Sequence, residues 1–393
     1  MRASTGERLA ALARRLRARG RGEGGPLLTV IVPIYGVEQY LPRCLASVRA
    51  QPVYQQGRVE VVLVDDGSPD RAGQIADEFA AAEPAGRVRV LHQRNAGLGA
   101  ARNAGVPFVR TPYLTFLDSD DTLPEDAWGR MLEVIEDTGS DLVIGKAVRI
   151  LGDRVVMGRW MRVNHREDAF GITVSERPEM LAEVMAVNKL YRRSFWEDTG
   201  VSFPEGVLHE DQPALTRALL AARAFDVLTD VVYHWEVRED GSSITQNTHD
   251  LANLRDRIAT KRQARAMVRA HAREKQVPHV LQAFTRQVLA VDMWLYFRSA
   301  AEGDETYWRE LRDAVLDLWS DIPFHHCEVP VQQRLMGWLV AQDRREDLVR
   351  FLRWFDETPP AGRIRDGELQ HPLRDEPGVP VEVVRAAAPA IAR

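Results

Sequence analysis

Three acidic segments follow one another along the chain, and their residue types suit chemistry at a diphosphate. They contain Asp65 and Asp66, then Asp118, Asp120 and Asp121, then Glu210 and Asp211. Carboxylate oxygens are the ligands that Mg²⁺ and Mn²⁺ prefer, and such a cation neutralises the charge that develops on a departing diphosphate. The segments therefore indicate a site where a divalent cation and a diphosphate meet.

The middle segment directly follows an apolar stretch that ends at Leu117. Alternate side chains of an extended chain point the same way, so Asp118 and Asp120 can share a face. One of them would then reach a ribose while the other holds the metal. A solvated acidic turn before a capped helix would have the same sequence, and this alternative stays open.

The last segment opens a helix that continues through Leu220. The dipole and free amides of a helix N-terminus keep a carboxylate there ionised, which suits Asp211 as the base that deprotonates an acceptor hydroxyl. The other interpretation is that Asp211 only caps the helix.

A loop with two glycines, Gly97 and Gly99, lies between the first two acidic segments and leads to Arg102. Glycine permits close backbone approach, and arginine can bind phosphate oxygens with two parallel hydrogen bonds. One carboxylate of the pair Asp65 and Asp66, which precedes this loop, would accept hydrogen bonds from a base or ribose. The alternatives are a plain turn with a surface arginine, and an aspartate that only stabilises a helix N-terminus.

Alternating strands and helices are predicted to position these residues. Five apolar stretches read as strands, and between them lie helices predicted to be capped at Ser68 and by a Thr122 and Glu125 capping box. The strands cover residues 28–32, 59–64, 88–92, 113–117 and 141–144. This alternation predicts an α/β fold with a doubly wound, mostly parallel sheet, whose ligands bind at the carboxyl ends of the strands.

The pattern of apolar residues changes after about Asp250, where they recur only at helical spacing. A carboxy-terminal α-helical domain of about 100 residues is the natural interpretation. The predicted organisation is a basic helix or tail over 1–25, an α/β domain over 26–250, a helical bundle over 251–358, and a linker or tail over 359–393.

Composition narrows the possible partners and location. The chain has 393 residues, 45% of them hydrophobic, and a net charge of −5, which gives nucleic-acid binding little support. Its two cysteines, Cys44 and Cys327, lie far apart, so a disulfide or zinc scaffold is not expected and a reducing cytoplasm fits.

No apolar run approaches the roughly 20 residues of a membrane-spanning helix. The arginine-rich first 25 residues suit either peripheral contact with an anionic inner membrane face or a solvated helix.

Six ordered motifs between about Leu27 and Gln246 resemble family 2 glycosyltransferases of the GT-A fold. They are Val32–Tyr35, Val64–Ser68, Asn95–Gly105, Leu117–Asp121, Asn188–Arg193 and Glu210–Asp211. The resemblance implies that the nucleoside is contacted by Pro33, Tyr35, Asp66 and Asn95. It further implies that Arg102 faces the phosphates, Asp118 holds the ribose, Asp120 ligates Mn²⁺ or Mg²⁺, and Asp211 is the inverting base.

The chain departs from the family pattern in two places. Gly36 stands where the first motif usually has asparagine, and the segment after the base, which includes Arg238 and Ser243, lacks a histidine. The third metal ligand is therefore unassigned. Candidate contacts for the acceptor or its phosphate are Lys189, Glu210, Arg238 and Ser243, although a solvated basic turn around Lys189 is an equal alternative.

The resulting hypothesis is an inverting, metal-dependent hexosyltransferase. It would move a sugar from a nucleotide diphosphate donor, UDP-linked by resemblance, to a hydroxyl of a cell-envelope glycan or a polyol-phosphate polymer of the teichoic-acid type. The helical segment is similar to the part that follows the transferase domain in actinobacterial cell-wall polymer enzymes. The alternatives are a sugar nucleotidyltransferase, and a catalytically silent binding module that assembles a homo-oligomer through its helical domain.

Overall fold

The computed structural model describes residues 24–237 and 247–385. Arg238, Ser243 and nearly all of the predicted amino-terminal basic helix lie outside these ranges. The described residues form two compact units, one within residues 1–239 and one within residues 240–393.

The first unit is built on one mixed sheet of nine strands within the described residues. In chain order the strands are β1 Leu28–Ile34, β2 Val59–Asp65, β3 Val88–His92, β4 Tyr113–Phe116, β5 Leu142–Leu151, β6 Arg154–Val156, β7 Ala169–Ile172, β8 Lys189–Arg192 and β9 Phe225–Glu236. Their spatial order is β3-β2-β1-β4-β8-β5-β9-β7, with β6 paired to β5. The predicted GT-A-type α/β fold is confirmed.

Helices connect the strands and cover the sheet. They are α1 Leu41–Ala50, α2 Pro52–Gln55, α3 Ala72–Ala81, α4 Leu98–Gly105, α5 Ala127–Thr138, α6 Arg159–Asn164, α7 Arg193–Thr199 and α8 Asp211–Ala221. The whole of β1 is buried, as its continuous run of apolar and β-branched residues predicts.

The order of the strands creates a switch point beside β1. The chain winds from β1 to β2 and β3 on one side, whereas β4 pairs with β1 on the other side, and all these pairs are parallel. The loops that follow β1, β2 and β4 therefore leave the same edge of the sheet, where ligands of such folds bind.

Two predicted helix caps are wrong. Helix α3 begins at Ala72 and α5 at Ala127, and neither has a side-chain cap. Ser68 instead donates its backbone N–H to Asp65 Oδ1 (3.0 Å), and the Thr122 hydroxyl donates to Glu236 Oε1 (3.0 Å). Both residues thus belong to the turns at the sheet edge, because these turns are longer than the sequence suggested.

The second unit is helical, which confirms the predicted carboxy-terminal helical region. Its helices are α9 Leu251–Glu274, α10 Pro278–Ala283, α11 Met293–Glu302, α12 Glu305–Leu318, α13 Val331–Ala341, α14 Arg345–Glu357, α15 Pro360–Arg363 and α16 Val381–Val384. A two-stranded ribbon, β10 Ile364–Arg365 and β11 Glu368–Leu369, follows α15. Residues 359–385 were expected to be a linker or tail, but they carry these short elements and bury Leu369, Leu373 and Val383. No described helix is long and apolar enough to cross a membrane.

Candidate active site

The acidic turn follows β4 at the switch point of the sheet. Its first residue, Leu117, donates its N–H to Ile31 O of β1 (3.0 Å), and Asp121 N–H closes the turn on Asp118 O (3.1 Å). The side chain of Asp118 is 29% exposed. Tyr35, at the end of the neighbouring β1, is half exposed, whereas Pro33 is buried within that strand.

Arg102 joins the acidic turn to the last acidic segment. Its Nη2 donates to Asp118 Oδ1 at 2.8 Å, and its Nη1 donates to Glu210 Oε1 at 2.6 Å. Arg102 is only 3% exposed. We call Arg102, Asp118 and Glu210 the Arg102 cluster. Through it, carboxylates more than 90 residues apart in sequence meet at one guanidinium.

Helix α4 holds the chain segment that leads to Glu210. Asn103 accepts the N–H of Phe203 (3.0 Å) and donates to Phe203 O (2.8 Å). A methyl group on Gly99 would overlap Pro204 O, so only glycine lets this segment approach the helix. The close backbone approach that the sequence predicted at Gly99 is therefore a contact between helix α4 and the segment at Pro204.

An aromatic cluster packs next to Arg102. Phe116, Tyr191, Trp196 and Phe203 contact one another, with ring centroids between 5.0 and 6.2 Å apart. The guanidinium of Arg102 lies 5.2 Å from the centre of the Phe203 ring. Arg102 is therefore buried beside an aromatic ring, and such an apolar surrounding strengthens its ion pairs.

Burial and charge act together on the pKa values of the cluster. Burial acts to lower the pKa of Arg102, but Asp118, Glu210 and Asp211 outweigh it and raise that pKa further. Arg102 is thus a permanent cation. Burial raises the pKa of Glu210, helped by nearby Asp211 and opposed by Arg102.

Asp211 is the first residue of α8, with Glu210 at the cap position. It is therefore inside the helix and not its N-cap, although it keeps the favourable position at the positive end of the dipole. His209, two residues earlier, has a positive φ of 62°, a conformation that is uncommon outside glycine. The backbone bends sharply there to bring Glu210 to Arg102.

Asp121 anchors the acidic turn to the end of β9. Its carboxyl accepts hydrogen bonds from Tyr233 Oη and from Glu236 N–H. Burial raises the pKa of Asp121 well above its usual value, and the neighbouring Asp120 and Asp118 raise it further. The sequence grouped Asp121 with the carboxylates that suit a divalent cation, whereas the structure buries it and bonds it to β9, where it holds the turn.

Asp66 organises the glycine loop at the neighbouring strand end. It is 3% exposed and accepts the N–H groups of Ala96 and Gly97, both at 2.9 Å, and the side chain of Gln93 at 2.7 Å. Asn95 is exposed on the same loop. Asp66 and Asn95 thus lie at the edge where a nucleoside was predicted.

The acidic turn fits a divalent cation that is held jointly with a ligand. No three His, Cys, Asp or Glu side chains form a metal cage within the parts of the chain that the structure describes. Mg²⁺ typically takes only one or two carboxylates and completes its shell with substrate phosphates and water. Asp120, which is partly exposed on the turn between Asp118 and Asp121, matches that requirement.

Two predictions for cationic residues need correction. Arg102 was predicted to face phosphate, but both of its terminal nitrogens are occupied by carboxylates of the protein. Lys189 was predicted as an acceptor contact or a solvated turn residue, yet it is 0% exposed and donates to Met185 O (2.6 Å) and Asn188 Oδ1 (2.8 Å). Glu210, also predicted as an acceptor contact, is buried against Arg102.

The sheet order and its connecting helices define an α/β fold of the GT-A type. The family model described as glycosyl transferase family 2 matches residues 29–200. Among solved structures, Staphylococcus aureus TarS 1–349 in complex with UDP-GlcNAc aligns with a TM-score of 0.62 and 20% identity, covering 90% of this chain and 98% of that chain. A mannosyltransferase from Pyrobaculum calidifontis, in complex with GDP-Man and Mn²⁺, aligns with a TM-score of 0.50 and 15% identity, covering 90% of this chain and 96% of that chain.

Sequence relatives agree with this assignment. The uncharacterized glycosyltransferase EpsJ of Bacillus subtilis is 30% identical over 56% of this chain and 63% of its own length. The poly(ribitol-phosphate) beta-N-acetylglucosaminyltransferase TarS of S. aureus is 27% identical over 55% of this chain and 36% of its own length. The chain thus spans less than two thirds of these relatives. The resemblance to family 2 glycosyltransferases that the motifs indicated is thus confirmed over residues 29–200.

Proposed function

We propose that this chain is an inverting, metal-dependent glycosyltransferase that moves a sugar from a UDP-linked donor to a hydroxyl of a cell-envelope glycan or polyol-phosphate polymer. The observation that carries the proposal is the Arg102 cluster. Arg102 ties Asp118, on the turn where the donor would bind, to Glu210, the neighbour of the proposed base Asp211. One buried guanidinium thereby links the donor side and the base side.

Asp211 is the proposed base. It would accept the proton of the acceptor hydroxyl while that oxygen bonds to the anomeric carbon and the bond to the diphosphate breaks. Because attack and departure occur on opposite faces of the sugar, the configuration inverts. The position of Asp211 in the first turn of α8 supports this role, since the helix dipole favours its ionised form.

The donor would bind along the edge formed by the ends of β1, β2 and β4. Pro33, Tyr35, Asp66 and Asn95 are proposed around the nucleoside, and Asp118 at the ribose. Asp118 keeps a partly exposed carboxylate although Arg102 binds one of its oxygens, so the other oxygen can accept a hydroxyl. Arg102 is proposed to orient Asp118 and not to contact phosphate.

Asp120 is the residue that would hold Mn²⁺ or Mg²⁺. When bound, the cation would neutralise the negative charge that develops on the diphosphate. The protein's own contribution is to keep the Asp120 turn in place through Asp121, Tyr233 and the backbone of Glu236.

The acceptor class rests on the relatives. Two of them are named as transferases acting on poly(ribitol-phosphate), one from Bacillus spizizenii and the TarS of S. aureus. A hydroxyl on a polymer of this kind would meet Asp211 directly. Glu210, buried against Arg102, is not proposed as an acceptor contact.

Ligand-dependent thermal stability tests the donor proposal. UDP-, GDP-, CDP- and dTDP-sugars are compared with and without Mn²⁺, and a UDP-sugar with Mn²⁺ is expected to raise the melting temperature most. At a concentration about 100 times its dissociation constant, a ligand adds about 2.7 kcal/mol to stability. The absence of stabilisation by every nucleotide sugar would contradict the proposal. Release of pyrophosphate from UTP and a sugar phosphate would instead identify a nucleotidyltransferase.

A further inference from the structure

The hairpin formed by β5 and β6 lies at the sheet edge that carries the acidic turn. Strand β8 runs antiparallel to both β4 and β5, so β4 and β5 point the same way and their carboxyl ends share that edge. Strand β6 pairs with the last residues of β5, in a register that places Arg149 opposite Val156 and Leu151 opposite Arg154. This Arg149–Val156 hairpin therefore extends the sheet at the edge where donor binding is proposed.

Arg149 stacks on an aromatic ring of the neighbouring strand. Strands β5 and β9 are parallel with Arg149 opposite Trp235, and the guanidinium carbon of Arg149 lies 4.2 Å from the centre of the Trp235 ring. The guanidinium forms no ion pair or hydrogen bond with the residues that the structure describes. Burial lowers the pKa of Arg149, yet an arginine stays charged in such a setting. Stacking fixes the plane of its N–H groups without using them, so they remain available to a ligand.

The Arg149–Trp235 stack lies on the face of the sheet through which β9 holds the acidic turn. Tyr233 and Trp235 are two residues apart on β9, so their side chains point to the same face. The Tyr233 hydroxyl bonds to Asp121 of the acidic turn. By the same alternation Glu236 points to the opposite face, where an arginine of α1 binds its carboxylate. The stack is thus a cation beside an acidic turn.

A second arginine lies on the same face of the hairpin. Residues opposite each other in an antiparallel pair share a face, as do alternate residues of one strand, so Arg149, Leu151, Arg154 and Val156 point the same way. Positions related as Arg149 and Arg154 are diagonal neighbours, about 7–8 Å apart. Arg154 is exposed and bonds to no carboxylate of the described ranges, including that of Asp153 in the hairpin turn. The hairpin therefore presents two cations on one face.

We propose that Arg149 and Arg154 bind successive phosphodiester groups of an anionic polymer acceptor. This inference rests on the proposed function and assigns the surface that would hold its polyol-phosphate acceptor. Each guanidinium can donate two parallel hydrogen bonds to one phosphate. Leu151 and Val156, 42% and 38% exposed, offer apolar contact for the carbon chain between the phosphates. Because the acidic turn repels a polyanion, cations beside it are needed to bring phosphodiesters to this edge.

A phosphodiester polymer fits this surface better than a lipid bilayer does. A segment that lies in a membrane interface buries one continuous apolar face. In the hairpin, alternation places Ile150 and Val155 on the face opposite Leu151 and Val156. The apolar side chains are thus divided between two faces, whereas both arginines share one.

Binding of poly(ribitol phosphate), measured by calorimetry without donor, tests this surface. Arg149→Gln and Arg154→Gln should each weaken the affinity for the polymer about 5- to 10-fold, because each removes a charge-assisted pair at a partly exposed position. The double variant should lose more, and its affinity should depend less on salt concentration. Arg149→Lys, which keeps the charge but not the planar donors, should lie between Arg149→Gln and the wild type. The dissociation constant for UDP, measured on the same samples, should match that of the wild type.

Arg89 supplies a matched control on the outermost strand at the other side of the sheet. It is exposed on β3, and its guanidinium carbon lies 5.1 Å from the centre of the Phe108 ring, so it is also a cation over an aromatic ring. Arg89→Gln removes the same charge away from the acidic turn and should leave the polymer affinity at the wild-type value. Melting temperatures show which variants fold. If Arg149→Gln does not fold, Arg154→Gln decides the test.

The outcomes separate this inference from the function on which it rests. If the wild-type chain releases UDP from no UDP-sugar, the proposed function fails, and polymer binding without donor still tests the two arginines. Wild-type polymer affinity in the double variant would overturn the inference. An equal loss in Arg89→Gln would overturn it as well, because it would indicate general attraction to charge.

Two further results would contradict the inference. One is a wild-type chain that does not bind poly(ribitol phosphate), even if it transfers sugar to another acceptor. The other is a double variant that keeps the wild-type polymer affinity but no longer sediments with phosphatidylglycerol vesicles. That result would assign the hairpin to a membrane surface.

Discussion

Each unit of the chain buries a small ionic cluster, and the two clusters have opposite charge balance. In the first unit, one cation, Arg102, bonds to two carboxylates. In the second unit, one carboxylate, Asp292, bonds to two cations, Arg257 and Lys261. We call the latter three residues the Asp292 cluster. Both clusters are built from the same side-chain chemistry in largely buried surroundings.

The difference shows why only one cluster suits catalysis. The Asp292 cluster lies on helix α9 and at the turn before α11, and Lys261 also donates to Leu289 O. The Arg102 cluster includes the 29% exposed Asp118 and adjoins Asp120 and Asp211 at a sheet edge. Close carboxylates repel each other and favour a bound cation. The Arg102 cluster, with more carboxylates than cations, therefore suits the binding of a cation. The Asp292 cluster, with more cations than carboxylates, suits a structural role.

Removal of Asp120 is the largest predicted disruption of this contrast. Asp120→Ala should stop turnover, with a rate loss of at least about 100-fold, because the diphosphate loses the charge stabilisation that the bound cation supplies. The measurement is UDP release as a function of Mn²⁺ concentration. Asp292→Asn is the control, and the Mn²⁺ concentration for its half-maximal rate should match the wild type. Unchanged Mn²⁺ dependence in Asp120→Ala would remove Asp120 from the metal site.

Removal of one cation from each cluster tests their opposite charge balance. Arg102→Met leaves buried Glu210 and partly buried Asp118 without their shared partner, and should destabilise the first unit by about 3–5 kcal/mol. Lys261→Met leaves Arg257 on Asp292, so the loss should be smaller. Urea unfolding of both variants, followed by the fluorescence of the tryptophans in each unit, checks this order. A larger loss for Lys261→Met would refute the assigned charge balance.

The smallest predicted effect concerns the contact that brings Glu210 to Arg102. A methyl group at Gly99 would overlap Pro204 O and lie 3.2 Å from Glu210 Cγ. Gly99→Ala should cost about 1–3 kcal/mol through overpacking, and should weaken donor binding because the cluster shifts. Gly129→Ala is the matched helical control. The methyl group there would meet only the end of the exposed Asp126 side chain, so stability should hold or rise slightly. Equal losses in both variants would contradict the role of Gly99.

The sheet and the order of its motifs could be predicted because they depend on local signals. The buried strand Leu28–Ile34 is a continuous apolar run, and the acidic segments directly follow such runs. Parallel strands place their carboxyl ends at one edge, so the association of the loops after β1, β2 and β4 followed from the pattern.

Strand β8 could not be predicted, because Lys189–Arg192 contains only four residues and two of them are basic. Its antiparallel position between β4 and β5 is decided by long-range pairing. The same pairing buries Lys189. A lysine within a basic segment was expected at the surface.

The partners of Arg102 could not be predicted either. Arginine binds phosphate and carboxylate with the same geometry, so its residue type does not discriminate between them. The contact with Glu210 depends on the bend at His209 and on the close packing at Gly99, which only the folded chain shows. The one available signal was that the chain places Glu210 directly before a proposed base.

Asp211→Asn tests whether Asp211 is the base. UDP release in the presence of donor, Mn²⁺ and acceptor is measured alongside UDP binding by calorimetry, with wild-type protein as the reference. The rate should fall by about 10²–10⁴-fold, because a general base is lost, while the dissociation constant for UDP should hardly change. Full transfer activity in Asp211→Asn would show that the base lies elsewhere.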